Sequence, residues 1–199
     1  METKYQTEGH CEVVYVNYLI KQNKLTGREL PVYYEMCQGI RNYWDGDEVF
    51  YYKDHIERVD YKYVKNYISI ELVQVDSQGE FDSWLYNSNI HKIVYIDQDT
   101  DQVYEFDRQY LLNLAFLIVS NFDMRKTSTV YRDDTHSKAF AWSLEQLRKN
   151  ITVAHFRFKH LKQLVDSVST EGVHMNVAHN STQAFSGLNI RIPIKVFES

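Results

Sequence analysis

The chain has 199 residues, of which 44% are hydrophobic and 25% charged, and its formal net charge is -5 at pH 7. This balance is typical of a folded globular protein and excludes a disordered chain. No apolar run reaches the ~18–20 residues that a membrane helix needs, and the N-terminal residues lack the order of a signal peptide. We therefore expect a single domain over residues 1–199, located in the cytoplasm and without a membrane partner.

The residue counts narrow the class of protein further. Two cysteines, Cys11 and Cys37, are too few for a disulfide framework and lack CxxC spacing. The chain has 16 Tyr but only 7 Gly and 2 Pro, which favours regular, strand-rich structure. The negative net charge argues against nonspecific nucleic-acid binding, because Lys and Arg supply most of such affinity. A local basic groove stays compatible with this composition.

The first half of the chain predicts one helix followed by strands. Residues 7–24 have apolar side chains near one helical face, and Gly27 follows as a stop signal. Residues 30–38 fit either a short strand or a short helix. Aromatic and β-branched residues then predict an antiparallel or mixed sheet of about five strands, at 49–53, 56–63, 68–75, 92–96 and 103–106.

The second half combines helices with further strands. Residues 111–119 are apolar nearly all round, which predicts a buried helix that ends at Asn121. A hairpin is expected at 127–132 and 138–142, helices from Ser143 and at 158–168, and strands at 173–177 and 188–194. The fold class is therefore α+β, or mixed α/β, with a central mixed β-sheet flanked by helices.

Two carboxylates on consecutive predicted strands are the first candidate site. Asp60 lies on the strand 56–63, and Glu71 lies among apolar residues in the middle of the strand 68–75. Carboxylates at the same end of neighbouring strands can share a Mg²⁺ ion, which activates water and stabilises charge on phosphate. A carboxylate among apolar residues costs free energy unless it is paired or ligating. The alternative is a salt-bridged Glu71, with Asp60 on a solvated edge.

The stretch between residues 49 and 117 also resembles a known family. It contains, in order, Ile68-Ser69-Ile70-Glu71-Leu72, Gly79, Ser83-Trp84-Leu85, residues 92–97 and residues 104–107 before a Leu-rich helix. This order resembles PD-(D/E)XK nuclease-fold proteins, which are common in phages and mobile elements. The resemblance implies a restriction-endonuclease-like fold and Mg²⁺-dependent phosphodiester cleavage. It also implies Glu12, Asp60 and Glu71 as metal ligands, with Asp60 and Glu71 as the catalytic residues.

One position departs from the family pattern. Val73 stands two residues after Glu71, where the family has a lysine or occasionally a glutamine. Strand alternation points Gln74 away from Glu71 unless a β-bulge re-aims it. An active site would then need a lysine from elsewhere, for example Lys62 or Lys65, because positioned charge is what the reaction requires. Without such a lysine, an inactive nuclease-like scaffold is the alternative.

A basic cluster lies in the second half of the chain. Its members are separated by Phe156 and Phe158, and they are Arg148, Lys149, Arg157, Lys159 and Lys162. Such a cluster can bind a nucleic-acid backbone while aromatic rings stack on bases. The alternative is a solvated helix face whose two phenylalanines lie in the core.

The tyrosines support a second function hypothesis. Many of them lie between Tyr33 and Tyr95, and tyrosine is enriched at protein interfaces. An acidic, Tyr-rich surface is suited to a basic partner, such as a host protein that handles nucleic acid. The second hypothesis is therefore a non-enzymatic interaction protein that binds another protein. Alternatively, the tyrosines simply fill alternating strand positions.

Overall fold

The structure is a computed structural model that describes residues 4–76, 79–121, 143, 145–149, 174–180 and 185–198. The first half forms α1 (Lys4–Thr26), β1 (Tyr33–Met36), α2 (Ile40–Asp45), β2 (Glu48–Tyr51), β3 (Ile56–Val64), β4 (Tyr67–Asp76) and β5 (Gly79–Asp82). Then follow β6 (Lys92–Asp97), β7 (Val103–Asp107), α3 (Arg108–Asn121), β8 (His174–Asn180) and β9 (Phe185–Pro193). Two short 3-10 helices span Trp84–Tyr86 and Ile194–Phe197. The predicted α+β class with a mixed sheet is confirmed.

The chain divides into two compact units that alternate along the sequence. Unit 1 is Met1–Lys65 with Ser88–Arg108, and unit 2 is Asn66–Asn87 with Gln109–Ser199. Unit 1 contains a five-stranded sheet in the order β1-β2-β3-β6-β7, which we call sheet 1. Unit 2 contains a four-stranded sheet in the order β5-β4-β9-β8, which we call sheet 2. The prediction of one domain over residues 1–199 stays a prediction.

Sheet 1 is mixed because its two middle strands run parallel. β1, β2 and β3 form antiparallel neighbours, β3 pairs with β6 in parallel, and β6 pairs with β7 antiparallel. Helix α1 covers one face of this sheet, because Cys11, Tyr15 and Leu19 recur every four residues on one side of the helix. These three side chains pack on buried residues of the sheet, namely Phe50, Val59, Tyr61, Val94 and Ile96.

The strand predicted at 68–75 belongs to a different sheet from the one expected. The expectation that β3 and β4 are neighbours is wrong, because β4 pairs with β5 and β9 in sheet 2. Ile68 and Ile70 lie opposite Ile192 and Ile190 of β9, and all four side chains are fully buried. Apolar cross-strand pairs of this kind favour the long-range partner over a local hairpin. In sheet 1 the fifth strand is β1, which the sequence left open between strand and helix.

A β-bulge interrupts β4 beside the predicted site residue Glu71. Glu71 lies opposite Asn189 and Val73 lies opposite Leu188, so Leu72 is the extra residue on β4. The side chain of Ser83 donates a hydrogen bond to the carbonyl oxygen of Glu71 at 2.6 Å. The β-bulge that the sequence analysis required for re-aiming Gln74 is therefore present. The side chains of residues 73–82 lie outside the described part.

The remaining predicted elements divide into confirmed and undescribed ones. Helix α1, the buried helix α3 and the last two strands, β8 and β9, are confirmed. Residues 145–149 are helical, as the capping pattern predicts. The hairpin at 127–132 and 138–142 and the helix at 158–168 lie outside the described residues. Within the described part of the chain, no helix is long and apolar enough to cross a membrane.

Candidate functional site

The three predicted metal ligands lie on three different elements. Glu12 is on α1, Asp60 is on β3 of sheet 1, and Glu71 is on β4 of sheet 2. The strand pairing that was expected to bring Asp60 and Glu71 to one sheet edge does not occur. Among the residues that the structure describes, no group of three or more His, Cys, Asp or Glu side chains is placed to hold a metal ion. The ligand roles of these three residues stay predictions.

The structure brings Asp60 together with a lysine that the sequence offered as a substitute. The Nζ atom of Lys62 lies 2.5 Å from Oδ2 of Asp60. The two residues are two apart on β3, so strand alternation places them on the same face of sheet 1. That face is opposite to α1 and includes the fully buried Ile93 and Tyr95, which lie beside Asp60 and Lys62 on β6. Asp60 is only 7% exposed, whereas 29% of the Lys62 side chain is exposed, so the ion pair is partly shielded from solvent.

A second aspartate, Asp47, is held against the backbone of β3 by a tight corner. The backbone N–H of Asp47 donates to the carbonyl oxygen of Val59 at 2.9 Å. The N–H of Tyr61 donates to Oδ2 of Asp47 at 2.6 Å. Asp47 therefore contacts the residues on both sides of Asp60, and both aspartates are nearly buried. The corner needs Gly46, which has φ of 80° and lies so close to β3 that a Cβ atom would stand 2.7 Å from the oxygen of Val59.

A protonatable carboxyl lies on the opposite face of sheet 1. Glu48 is fully buried, and its Oε2 accepts a hydrogen bond from the hydroxyl of Tyr61. Its Oε1 has no hydrogen-bond partner in the described part of the chain. Burial, together with the negative charges of Glu12 and Asp47, raises the pKa of Glu48 to about 7 and outweighs the hydrogen bond from Tyr61. This carboxyl therefore titrates near neutral pH.

A network of four charged groups ties the end of α1 to sheet 1. Arg28 donates two hydrogen bonds to Glu105, at 2.6 and 2.8 Å. Lys92 lies 2.5 Å from Glu105 and 2.8 Å from Glu57. Burial raises the pKa of Glu105, but the hydrogen bonds from Arg28 and Lys92 outweigh it and lower that pKa overall. The charges are balanced within the network, which indicates a structural role.

A polar and aromatic group occupies the edge of sheet 1. Glu35 on β1 accepts hydrogen bonds from Tyr51 at 2.8 Å and from Arg41 at 2.8 Å. The rings of Tyr33 and Tyr51 lie 5.4 Å apart on the same face. On the other face, the ring of Tyr34 packs at 5.6 Å from that of Phe50. Both tyrosines of β1 therefore flank the strand, one on each side of the sheet.

Net charge differs between the two units. By sequence, unit 1 holds 16 acidic and 11 basic residues, a net charge of -5, whereas unit 2 holds 11 of each. Within the described residues, the exposed large hydrophobic side chains all belong to unit 1: Val13, Ile20, Leu25, Leu30, Val32, Tyr33, Tyr34, Trp44 and Ile56. Unit 1 therefore combines an acidic character with an apolar surface.

The predicted basic cluster is described only in part. Arg148 and Lys149 are exposed, and Lys149 forms an ion pair with Glu145 at 2.7 Å. Its remaining members, Arg157, Lys159 and Lys162, lie outside the described residues. The role of this cluster in nucleic-acid binding stays a prediction.

Sequence reasoning missed Asp47, and it offered Lys62 only as a substitute for the lysine missing at position 73. The signal for Lys62 is its position two residues after Asp60 on a predicted strand, a spacing that puts both side chains on one face. Asp47 lacked such a signal, because its place beside Asp60 depends on the pairing of β2 with β3.

We compared the chain with protein-family models, curated proteins and solved structures, and found no match of any of the three kinds. The geometry of the described residues is therefore the basis for a functional proposal.

Proposed function

We propose that this chain is a nuclease-fold protein that acts on nucleic acid, with its site at Asp47, Asp60 and Lys62. The observation that carries the proposal is the ion pair between Asp60 and Lys62 on the central strand β3. Asp60-Tyr61-Lys62 has the carboxylate-x-lysine spacing that the family resemblance led us to expect at residues 71–73. Cys11 and Cys37 are buried and form no disulfide with each other, which is compatible with the proposed location in the cytoplasm.

Two nearly buried carboxylates suit a divalent cation. Mg²⁺ binds one or two protein carboxylates and completes its octahedron with water and substrate phosphate oxygens. Asp47 and Asp60 would provide those carboxylates, since Asp47 bonds to the backbone on both sides of Asp60. When bound there, Mg²⁺ supplies a more acidic water and stabilises negative charge on the phosphate. Glu71, on β4 of sheet 2, stays a candidate ligand from the sequence alone.

Lys62 supplies positive charge where negative charge develops. Its ammonium group lies on the same face of β3 as Asp60, with the buried Ile93 and Tyr95 alongside. A positioned ammonium group beside a nearly buried carboxylate would stabilise a developing phosphorane-like charge more strongly than a fully solvated lysine would. The exposed Arg148 and Lys149 of unit 2 are proposed to contact the nucleic-acid backbone.

The test is metal-dependent cleavage of nucleic acid by paired variants. Wild type, Asp60→Asn and Lys62→Met are incubated with single-stranded, double-stranded and branched DNA and with RNA, in Mg²⁺ or Mn²⁺. We expect cleavage by wild type and a loss of about 100-fold or more in both variants. The matched controls are Asp99→Asn and Lys65→Met, which disrupt the exposed ion pair at 3.1 Å and leave the site intact.

The outcomes distinguish an active site at Asp60 and Lys62 from one at residues 71–73. Cleavage lost in Glu71→Gln but kept in Asp60→Asn would return the active site to residues 71–73 and refute the present one. A folded wild type that neither cleaves nucleic acid nor binds Mg²⁺ in calorimetry would refute the proposed nuclease activity. In that case, two results would together support an inactive nucleic-acid-binding scaffold. The affinity for DNA would fall steeply as the salt concentration rises, and this salt dependence would be smaller in Arg148→Gln.

A further inference from the structure

His91 connects two neighbouring strands and the start of α3 at one end of sheet 1. It lies directly before β6, and its backbone N–H donates to the carbonyl oxygen of Arg58 on β3 at 2.9 Å. Its own carbonyl oxygen accepts from the N–H of Arg108, the first residue of α3, at 2.9 Å. The ring nitrogen Nδ1 of His91 accepts a hydrogen bond from the N–H of Arg58 at 3.0 Å. His91 therefore bonds to both backbone polar groups of Arg58.

The ring of His91 takes the place of a backbone carbonyl. The parallel pairing of β3 with β6 begins with Val59 opposite Lys92, so Arg58 lies one residue before the first pair. The N–H and C=O groups of one strand residue point to the same side, so the N–H of Arg58 points towards β6 as its carbonyl does. A backbone N–H at the end of a ladder needs an acceptor. His91 supplies this acceptor from its side chain.

This hydrogen bond depends on the protonation state of the ring. A backbone N–H only donates, so Nδ1 of His91 has to accept, and the neutral ring carries its proton on Nε2. A protonated histidine donates from both ring nitrogens and has no acceptor for the N–H of Arg58. The bond between the His91 ring and Arg58 therefore exists only while the ring is neutral.

The surroundings of His91 favour the neutral ring. Partial burial is the largest cause that lowers the pKa of His91 below its ordinary value of 6.5, and the guanidinium groups of Arg58 and Arg108 lower it further. The carboxylates of Glu57 and Asp107 act in the opposite direction but do not outweigh these causes. The pKa of His91 is therefore lowered overall.

Two further charged side chains belong to this end of the sheet. Asp45 of α2 lies 2.8 Å from Nε of Arg58, and Lys92 lies 2.8 Å from Glu57. Each of them partly balances the charge of a neighbour of His91. His91 itself is exposed, so a protonated ring can turn away from β3 into water.

We propose that His91 is a pH-sensitive clasp at this end of sheet 1: the neutral ring holds the backbone of Arg58, and the protonated ring releases it and turns into solvent. In acid the N–H of Arg58 then opens to water, while the ladder from Val59 and Lys92 onwards stays paired. Because the pKa of His91 is lower in the folded chain than in the unfolded chain, the clasp contributes its full stability above about pH 6.5 and loses it as the pH falls.

The test follows the His91 ring and the Arg58 amide by NMR in the full chain labelled with nitrogen-15, between about pH 8 and about pH 4.5. We expect the neutral ring to carry its proton on Nε2, and the Arg58 amide to shift with the same midpoint as the ring, below pH 6.5. Below that midpoint, hydrogen exchange of the Arg58 amide, relative to its intrinsic rate, should become about tenfold faster per pH unit, because the neutral fraction of the ring falls by the same factor.

Two variants at position 91 isolate the ring nitrogen. His91→Asn keeps an acceptor atom at the position of Nδ1 but does not titrate, so the Arg58 amide should stay protected at every pH. His91→Ala removes the acceptor and should lose this protection even at neutral pH. His55→Asn is the matched control, because His55 is also exposed but its ring contacts the side chain of Asp54, at 2.6 Å. In this control the Arg58 titration should match that of wild type.

Several results would overturn the proposal. These are a neutral ring protonated on Nδ1, an Arg58 amide that does not follow the His91 titration, a His91 midpoint at or above pH 6.5, or wild-type protection of Arg58 in His91→Ala. Exchange that rises equally at Tyr61 and Val94 would show that acid loosens the whole sheet, and it would also refute a local clasp. If His91→Ala fails to fold, wild type and His91→Asn still decide the question. None of these measurements depends on nuclease activity.

Discussion

Replacing Glu48 with glutamine should remove a pH-dependent loss of stability. The pKa of Glu48 is about 7 in the folded chain, against an ordinary value of 4.5. Between these two values the folded state keeps a proton that the unfolded state releases, so wild-type stability falls as pH rises and then levels off above pH 7. A difference of this size corresponds to about 3 kcal/mol. Glu48→Gln cannot ionise and still offers Tyr61 a hydrogen-bond acceptor.

The measurement is the free energy of unfolding in urea at a series of pH values. Relative to wild type, Glu48→Gln should gain about 3 kcal/mol between about pH 4 and pH 8.5, with most of the gain between the unfolded-state pKa of 4.5 and the folded-state pKa of about 7. Glu29→Gln, at an exposed position, is the control and should run parallel to wild type. If Glu48→Gln also ran parallel to wild type over the whole range, the reasoning that burial holds this proton would be refuted.

Two further predictions test the supports of sheet 1. Gly46→Ala should lower the free energy of unfolding in urea by at least about 2 kcal/mol, because φ is positive at this position and the new Cβ atom would meet the carbonyl oxygen of Val59. Unchanged stability would contradict the close approach of Gly46 to β3. Glu105→Gln should cost about 3 kcal/mol at pH 7, since Arg28 and Lys92 lose their shared carboxylate. Because the pKa of Glu105 is lowered, this difference should shrink as pH falls below about 4, and a pH-independent difference would argue against an ionised Glu105.

Most individual elements could be predicted from the sequence, because they follow local periodicity. The apolar stripe of α1 and the β-branched residues of β3 and β4 are signals contained within each segment. Assignment of strands to sheets was not predictable in the same way. β4 joins β9, which begins more than 100 residues later, through the pairs Ile68 with Ile192 and Ile70 with Ile190.

The candidate site shows the same division. Asp60 could be singled out from sequence, and Lys62 was available as a substitute lysine. The role of Asp47 depends on the left-handed Gly46 and on the register of β2 against β3, which no local pattern contains. Glu71 was favoured because apolar residues surround it in sequence, and of these Ile68, Ile70 and Leu72 are fully buried in sheet 2. The ligand role of Glu71 stays a prediction.

The interleaving of the two units limits how the gene can be divided. Sheet 1 is complete only once β6 and β7 are present, and in the sequence these two strands come after β4 and β5 of sheet 2. A fragment that stops after β3 lacks two strands of sheet 1, and one that stops after β7 leaves β4 without β9. The second fragment would expose a long isoleucine-rich edge, which is prone to aggregation. The same edge of β4 is unpaired during synthesis on the ribosome, because β9 is made only when nearly the whole chain has been synthesised.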